Sequence, residues 1–295
     1  MSIPNELQDF LRRCCVGDGD TFRLDTHETD ARPDGLNKRE GEALLPELVA
    51  EAAELQKRLN AKAQWGVLCI FQAMDAGGKD GTISHVFSGL NPQGTQVTSF
   101  AAPSATERRH DFLWRHVVNL PPRGMIGVHN RSWYEEVLVA RVHPEVLAAQ
   151  NLPPELTGEA IWKHRLHDIA GFERYLTHQG IVVLKFFLHL SAAEQRQRFL
   201  ARIDEPDKNW KLQPSDIVDR KRWDDYQQAY DSAIRATASE EVPWFVIPAD
   251  RKWLARLVVA AALVEKLRGL NLDYPEVSEE QRANLQRMRH ELASS

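Results

Sequence analysis

Five short apolar runs that alternate with stretches of helical periodicity constrain the fold of this chain more than any other feature. Apolar residues recur at spacings of three and four over residues 44–59, and residues 252–267 predict an apolar-rich helix. Parallel strands need a crossover, which is usually a helix, so this order predicts an α/β fold with a doubly wound, five-stranded parallel sheet between helices. The apolar runs lie at residues 66–71, 96–100, 125–129, 181–188 and 244–247.

Length and composition indicate how the chain is divided. With 295 residues, 43% of them apolar, it can form one large α/β domain or two small ones. Residues 1–39 are polar and turn-rich, with no apolar repeat before Leu44, and predict an N-terminal arm wrapped on the body. Residues 271–295 predict a polar C-terminal tail with helical charge pairs, which leaves residues 40–270 as the main domain.

Charge and cysteine content narrow the classes of function. Lys and Arg number 37 against 42 Asp and Glu, a net charge of −5, which argues against coating of nucleic acid or an anionic membrane. The sequence has no apolar run typical of a membrane span or a signal peptide, and its three cysteines form no disulfide framework. We expect a cytoplasmic protein that binds neither membranes nor nucleic acid and holds any polyanion in a local basic patch.

The first apolar run leads directly into a glycine-rich loop that ends in a lysine. Residues 73–82 read Ala-Met-Asp-Ala-Gly-Gly-Lys-Asp-Gly-Thr, and helical periodicity follows. Glycines turn backbone N–H groups toward an anion, the helix N-terminus adds its dipole, and Lys79 adds a positive charge. The loop departs from the motif GxxxxGK(S/T), because Ala73 replaces the first Gly and Asp80 replaces the Ser or Thr. The alternative interpretation is an ordinary strand-to-helix turn. Besides Lys79, the predicted phosphate-binding residues are Ala76, Gly77, Gly78, Asp80, Gly81 and Thr82.

Three further side chains are predicted to complete a phosphate site. Asp75 places a carboxylate within the loop, where Mg²⁺ can bridge it to phosphates, so Asp75 is the predicted metal ligand; a turn-capping aspartate is the alternative. Asn130 and Arg131 follow the third run, and the carboxyl ends of parallel strands meet at one edge of a sheet. We therefore expect both beside the phosphates. The alternative is that Arg131 has a structural role and forms an ion pair with Glu135 or Glu136.

Several longer stretches give the chain a resemblance to a known family. They include residues 73–82, Asn-Arg-Ser-Trp-Tyr-Glu at 130–135 and Asn-Trp-Lys at 209–211, with further matches at 99–100, 111–115, 184–189 and 248–253. From about residue 40 to residue 268 the chain resembles the polyphosphate kinase 2 family. This resemblance implies a P-loop kinase fold that moves a terminal phosphoryl group between inorganic polyphosphate and a nucleotide, with Mg²⁺ as cofactor.

The resemblance also implies roles for individual residues. Asp75, Lys79, Asn130 and Arg131 are the expected catalytic residues. The branch that acts on nucleoside diphosphates has Asp at the position of Asn130. With Asn there, the chain is instead similar to the class III branch, which accepts AMP and ADP. Trp133 stands where that branch is expected to have His.

A basic segment provides the expected site for the donor. Residues 196–222 contain eight basic and five acidic side chains. In the family that the chain resembles, a helical lid closes over the active site and holds polyphosphate. We expect this lid at about residues 191–235. Binding of polyphosphate needs cations and exclusion of water. Plain surface pairs, such as Glu194 with Arg198, are the alternative. The lid residues predicted to bind phosphate are Arg198, Arg202, Lys208 and Lys211; the first two share a helix face and are expected to be exposed.

The acceptor nucleotide is expected beyond the second run. Phe100 is the candidate for stacking on a base, and Glu135 and Glu136 are predicted to contact the nucleotide. His164 and His167 are three residues apart but have no recognisable third ligand, so they are predicted to be a solvated or core pair and not a metal site.

Together these observations predict a homo-oligomeric (dimeric or tetrameric), Mg²⁺-dependent kinase that moves phosphoryl groups reversibly from polyphosphate to AMP and ADP. Catalysis would rest on positioning and charge neutralisation, without a covalent intermediate. One alternative is a P-loop kinase with a nucleoside triphosphate donor. Another is a non-catalytic regulator that binds polyphosphate or nucleotide on a spent P-loop.

Overall fold

The apolar runs form the parallel part of one sheet in the computed structural model, which describes residues 3–294. The predicted α/β class is confirmed, but the strand number is corrected from five to six. The additional strand comes from the N-terminal arm, where Cys15 and Val16 pair antiparallel with Phe245 and Trp244 and cover that edge of the sheet. The strands are β1 (Cys15–Val16), β2 (Gly66–Ala73), β3 (Thr95–Ser99), β4 (Ile126–Asn130), β5 (Ile181–His189) and β6 (Trp244–Pro248).

The order of the strands opens a crevice at one edge of the sheet. Across the sheet the order is β1-β6-β5-β2-β4-β3, and every pair except β1 with β6 is parallel. The chain runs from β2 outward to β3, returns through β4 and then crosses to β5 on the other side of β2. Connections that leave β2 and β5 therefore run in opposite directions, and ligands bind beyond the carboxyl ends of strands at such a point.

Helices cover both faces of the sheet. In the described residues these are α1 (Asn5–Cys14), α2 (Lys38–Lys62), α3 (Lys79–Phe87), α4 (Trp114–Val117), α5 (Val139–Val142), α6 (Pro144–Ala148), α7 (Ala160–His178), α8 (Ala192–Asp204), α9 (Pro214–Lys221), α10 (Trp223–Thr237), α11 (Lys252–Gly269) and α12 (Glu279–Ser294). The segment expected to form a lid contains α8 and α9, joined by a 3₁₀ stretch at Pro206–Lys211, and α10.

The N-terminal arm contains a helix that sequence analysis missed. The expectation that no apolar repeat precedes Leu44 is wrong, because Leu7, Phe10, Leu11 and Cys14 of α1 have the spacing of one helix face and are all buried. The arm thus contributes a helix that packs on one face of the sheet and a short strand at its edge.

The core lies in two layers, one on each face of the sheet. All eight residues of β2 are buried, as expected for a central parallel strand covered on both sides. One layer packs α1, α2, α3 and α11 against the sheet, and the other packs α7 and α10. In residues 3–294, no helix is both long and apolar enough to span a membrane.

Candidate active site

The glycine-rich loop connects β2 to α3 and contains two residues with left-handed backbone conformations. Ala76 and Gly78 have left-handed φ angles of +61° and +95°. A Cβ on Gly77 would lie 2.6 Å from the Cβ of Ala73, so the loop tolerates no side chain there. The loop therefore forms a concave turn at the start of a nine-residue helix, which is suited to an anion.

Lys79 lies back along this loop. Its Nζ donates a hydrogen bond to the carbonyl of Ala73 at 2.9 Å. Burial and the neighbouring Arg131 lower the pKa of Lys79, whereas the carboxylates of Asp75, Glu135 and Asp80 act in the opposite direction. The Lys79 ammonium thus lies near one guanidinium and several carboxylates. A phosphate bound at the loop would add further negative charge beside it.

Arg131 brings a second cation to the loop. Its Nη2 lies 3.6 Å from Oδ1 of Asp75, and its backbone N–H donates to the carbonyl of Phe71. Arg131 has a φ of +67°, a left-handed conformation that an arginine rarely adopts. This strained backbone at the end of β4 directs the Arg131 side chain into the crevice. Strained backbone conformations are common at functional sites.

The two glutamates that follow Arg131 have different surroundings. Burial raises the pKa of Glu135, whereas Arg131 and Lys79 lower it. Glu136 instead lies 3.3 Å from Nη1 of Arg165, which belongs to α7. The alternative that Arg131 pairs with Glu136 is therefore wrong, while Glu135 remains its strongest electrostatic neighbour.

Asn130 links β4 to the loop. The strand register places it beside Phe71 of β2 and Ser99 of β3. Its Nδ2 donates to Oδ1 of Asp80 at 2.7 Å, and its buried Oδ1 has no hydrogen-bond partner in the described residues. Asp80 stands where a P-loop usually has Ser or Thr, and its carboxylate thus accepts a hydrogen bond from Asn130.

Three connected cavities surround the loop. The basic cavity, of about 420 Å³, lies between the loop, α8 and α11; the central cleft, of about 570 Å³, is lined by Asp75, Lys79, Asn130 and Arg131. The inner cavity, of about 250 Å³, lies beyond Asp75 and Arg131 and reaches α10. The basic cavity and central cleft share Ala76, Gly77, Gly78, Gly81, Arg202 and Lys211, while the central cleft and inner cavity share Asp75, Phe100, Ala101, Arg131 and Asp216.

The basic cavity collects the lid cations and two cations that sequence analysis missed. Lys252 and Arg256 of α11 line it, and they follow the carboxyl end of β6 just as Arg131 follows that of β4. The same rule of strand ends could have identified them. The basic side chains that line this cavity are Arg198, Arg202, Lys208, Lys211, Lys252 and Arg256.

Arg198 is placed differently from its expected position. It is only 7% exposed, so the prediction of an exposed lid side chain is wrong. Its guanidinium donates to the carbonyl of Ala76 at 2.9 Å and to that of Ala249 at 2.6 Å, and its Nε pairs with Glu194 at 2.8 Å. The Glu194–Arg198 pair therefore exists, but it clamps the loop, α8 and the end of β6 together instead of lying on the surface.

A glutamine that was not predicted supports the loop in the same way. Gln195 of α8 is 1% exposed and donates from Nε2 to the carbonyl of Asp75 at 2.9 Å. Its Oε1 accepts a hydrogen bond from Arg220 of α9 at 2.9 Å. Gln195 thus connects a second lid helix to the loop residue that carries the predicted metal ligand.

The other lid cations remain accessible. Arg202 lies 3.9 Å from Asp216 and faces both the basic cavity and the central cleft. Lys208 is paired with Glu205, and Lys211 lies over the ring of the exposed Trp210. These side chains can reorient toward a ligand because few contacts fix them.

Phe100 forms a wall of the inner cavity and offers no open stacking surface. It is 6% exposed, and its ring centroid lies 4.2 Å from that of His116 and 4.9 Å from that of His129. Arg115 lies over the same ring at 5.1 Å, and its Nε is buried without a partner in the described residues. Stacking of a base on Phe100 stays a prediction that would require this cluster to open.

Asp75 is the side chain most suited to a metal ion. None of the described residues donates a hydrogen bond to its carboxylate, which faces the central cleft. Residues 3–294 contain no group of three or more His, Cys, Asp or Glu side chains that could hold a metal alone, so His164 and His167 form no such site. Mg²⁺ commonly binds one or two carboxylates together with substrate phosphates and water, and Asp75 fits that pattern.

Comparisons with known proteins all point to one family. Residues 35–275 match the family model described as polyphosphate kinase 2 (PPK2). An ADP-polyphosphate phosphotransferase from Rhodopseudomonas palustris is 48% identical over 278 residues, which cover 94% of this chain and 96% of the relative. An AMP/ADP-polyphosphate phosphotransferase from Meiothermus ruber is 44% identical over 254 residues, 86% of this chain and 90% of the relative. The crystal structure of polyphosphate kinase 2 from Arthrobacter aurescens TC1 superimposes with a TM-score of 0.88 at 37% identity, over 100% of this chain and 99% of that chain.

Proposed function

The chain belongs to the polyphosphate kinase 2 family, and we propose that it transfers the terminal phosphoryl group of inorganic polyphosphate to AMP and ADP. The reaction is a polyphosphate-dependent phosphotransfer to an adenine nucleotide and is reversible in principle. Acceptance of AMP as well as ADP is supported by Asn130, since Asp is expected at that position in the branch that acts on diphosphates.

The observation that carries this proposal is the contrast between the cavities on the two sides of the loop. The basic cavity has six basic side chains against two carboxylates, Glu194 and Glu205, and none of the residues that line it is aromatic. Such a lining suits an unbranched polyanion and provides no surface for a base. The inner cavity instead offers aromatic and carboxylate groups, among them Tyr226, Tyr230 and Glu135, which suit a nucleoside. Both cavities open to the central cleft.

In this proposal the residues of the central cleft act by position and charge. Lys79 and Arg131 would contact the oxygens of the transferring group, whose charge is spread over three oxygens in the transition state. The loop N–H groups would hold the neighbouring phosphate, and Asn130 would orient Asp80. Asp75 would hold Mg²⁺, which, when bound, would neutralise phosphate charge.

Two alternatives are less well supported. A nucleoside triphosphate donor would need a base-binding surface on the donor side, and the lining of the basic cavity offers none. A regulator on a spent P-loop would have no need for the strained Arg131 or for its pairing with the carboxylate of Asp75 beside the phosphate loop.

Product analysis tests the proposal directly. The protein is incubated with AMP, Mg²⁺ and polyphosphate in the absence of any nucleoside triphosphate, and nucleotides are separated by chromatography. We expect ADP and then ATP to accumulate, and omission of polyphosphate to abolish both. Product formed only when a triphosphate is supplied would favour the first alternative, and tight binding without turnover at any Mg²⁺ concentration would favour the second.

The proposal extends to assembly and location. We infer a homo-oligomer that works in the cytoplasm, where adenine nucleotides are available, with no nucleic acid or membrane partner. Light scattering after size-exclusion chromatography and cell fractionation test these points; a monomer, or recovery with membranes, would contradict them.

A further inference from the structure

A fourth cavity lies at the carboxyl edge of the sheet, outside the connected cavities of the active site. This arm cavity, of about 610 Å³, lies between the N-terminal arm, α5, the end of β5 and α10. Gln227, Asp231 and Arg235, four residues apart on α10, face it, whereas Tyr226 and Tyr230 of the same helix face the inner cavity. One helix therefore separates the two cavities. The carboxyl ends of parallel strands are where ligands bind in sheets of this class.

Two residues that line the arm cavity have buried polar atoms that lack partners in the described part of the chain. His189, the last residue of β5, is 7% exposed, and its Nδ1 is buried without a hydrogen-bond partner in the described residues. Burial lowers the pKa of His189 to about 4, so the ring is neutral near pH 7. In a neutral imidazole one ring nitrogen donates and the other accepts, so the unpartnered Nδ1 can hydrogen-bond to a hydroxyl group, which can act in either role. Nε2 of Gln227 is a buried donor that also has no partner in the described residues. Buried polar atoms without partners call for an explanation, and a bound ligand is one.

The rim of the arm cavity carries a small excess of positive charge, with three arginines against Asp25 and Asp231. Arg23 is paired with Asp25 at 2.8 Å, and Asp231 accepts a hydrogen bond from the backbone N–H of Leu24 at 2.8 Å. Arg141 and Arg235 are exposed, and neither has an ion pair among residues 3–294. An arginine guanidinium is a favourable hydrogen-bond donor to the oxygens of a phosphate group.

We propose that the arm cavity binds a small phosphate ester that carries hydroxyl groups, with Arg141 and Arg235 at the phosphate and His189 hydrogen-bonded to a hydroxyl. Such a ligand would contact the N-terminal arm and α10 together. This site is separate from those for polyphosphate and the acceptor nucleotide and does not depend on the proposed reaction.

Isothermal titration calorimetry with ribose 5-phosphate as the probe tests this site. We expect one binding event per chain and a loss of at least about tenfold in affinity for the double variant Arg141→Ala/Arg235→Ala, since a charged hydrogen bond is worth tenfold or more. The double variant Arg174→Ala/Arg196→Ala removes the same charge from exposed positions outside the cavity and should bind like the wild type. The active-site variant Lys79→Ala/Arg131→Ala should also retain binding, and inorganic phosphate, which lacks the ester's hydroxyl groups, should bind the wild type more weakly.

Four outcomes would overturn the proposal. The first is unchanged affinity in Arg141→Ala/Arg235→Ala. The second is loss of binding in Lys79→Ala/Arg131→Ala alone, which would assign the probe to the active site. The third is no binding to the wild type at millimolar probe. Equal affinity for ribose 5-phosphate and inorganic phosphate would refute the role of His189.

Discussion

Lys79 illustrates how one side chain can matter for rate and little for folding. Its Nζ donates one hydrogen bond, to the carbonyl of Ala73. We expect Lys79→Ala to lower the transfer rate more than a hundredfold, about 3 kcal/mol in the barrier, with the midpoint of unfolding nearly unchanged. Initial rates with AMP and polyphosphate, together with thermal unfolding, measure both effects. The exposed Lys163 of α7 provides a matched control, Lys163→Ala, and activity of Lys79→Ala within threefold of wild type would contradict the assignment.

Asp75 can be tested for its charge separately from its shape. Asp75→Asn keeps the size of the side chain but removes the charge that would hold Mg²⁺. We expect a lower rate and a half-saturating Mg²⁺ concentration about tenfold higher or more, since loss of a charged contact is worth that much. A Mg²⁺ titration of the rate measures this, and partial recovery at high Mg²⁺ indicates a role in metal affinity. An unchanged titration would leave Asp75 as a turn residue.

Helix α8 combines two functions that a matched pair of variants can separate. Arg198 is buried on loop carbonyls, while Arg202, one turn later, lies between two cavities. We expect Arg198→Ala to lower the free energy of unfolding by about 2–4 kcal/mol, because it leaves buried carbonyls and Glu194 without a partner. Arg202→Ala should change stability by less than about 1 kcal/mol and mainly raise the KM for polyphosphate. Urea unfolding and steady-state kinetics on both variants test the contrast, and equal stability of the two would refute the clamp.

The buried histidines make the stability of the whole molecule depend on pH. Burial lowers the pKa of His129 to about 4 and that of His116 to about 2, below the usual value near 6.5 for an unfolded chain. Between pH 6.5 and 4 the unfolded state takes up protons that the folded state does not, so stability falls as pH falls. Each such histidine contributes about 1.4 kcal/mol per pH unit, and the contribution of His129 levels off below its folded pKa.

The variant His129→Gln isolates one of these contributions. Gln can retain the hydrogen bond to the carbonyl of Asn119 but does not titrate. We expect its free energy of unfolding, measured in urea from pH 6.5 to 4.5, to fall less steeply than that of the wild type by about 1.4 kcal/mol per pH unit. His167→Gln, at an exposed position of α7, should follow the wild type. Parallel curves for the wild type and His129→Gln would contradict this account.

Features that depend on local pattern could be predicted from the sequence. The alternation of apolar runs with helical spacing predicts the five parallel strands, because each strand must be buried between helices. The loop at residues 73–82 was identifiable because glycines, a lysine and a following helix are adjacent in the chain. Arg131 could be placed beside it, since β4 and β2 end at the same edge of the sheet.

What the sequence by itself determined was therefore the class of sheet, the phosphate loop and the side chains at strand ends. Only the tertiary structure decided which distant groups meet. Arg198 binds carbonyls 122 and 51 residues away in the chain, which turns an apparent surface cation into a buried clamp. The arm adds β1 to the sheet for the same reason. Periodicity reports which face of an element is buried, but the partners on that face are fixed by how separate elements pack.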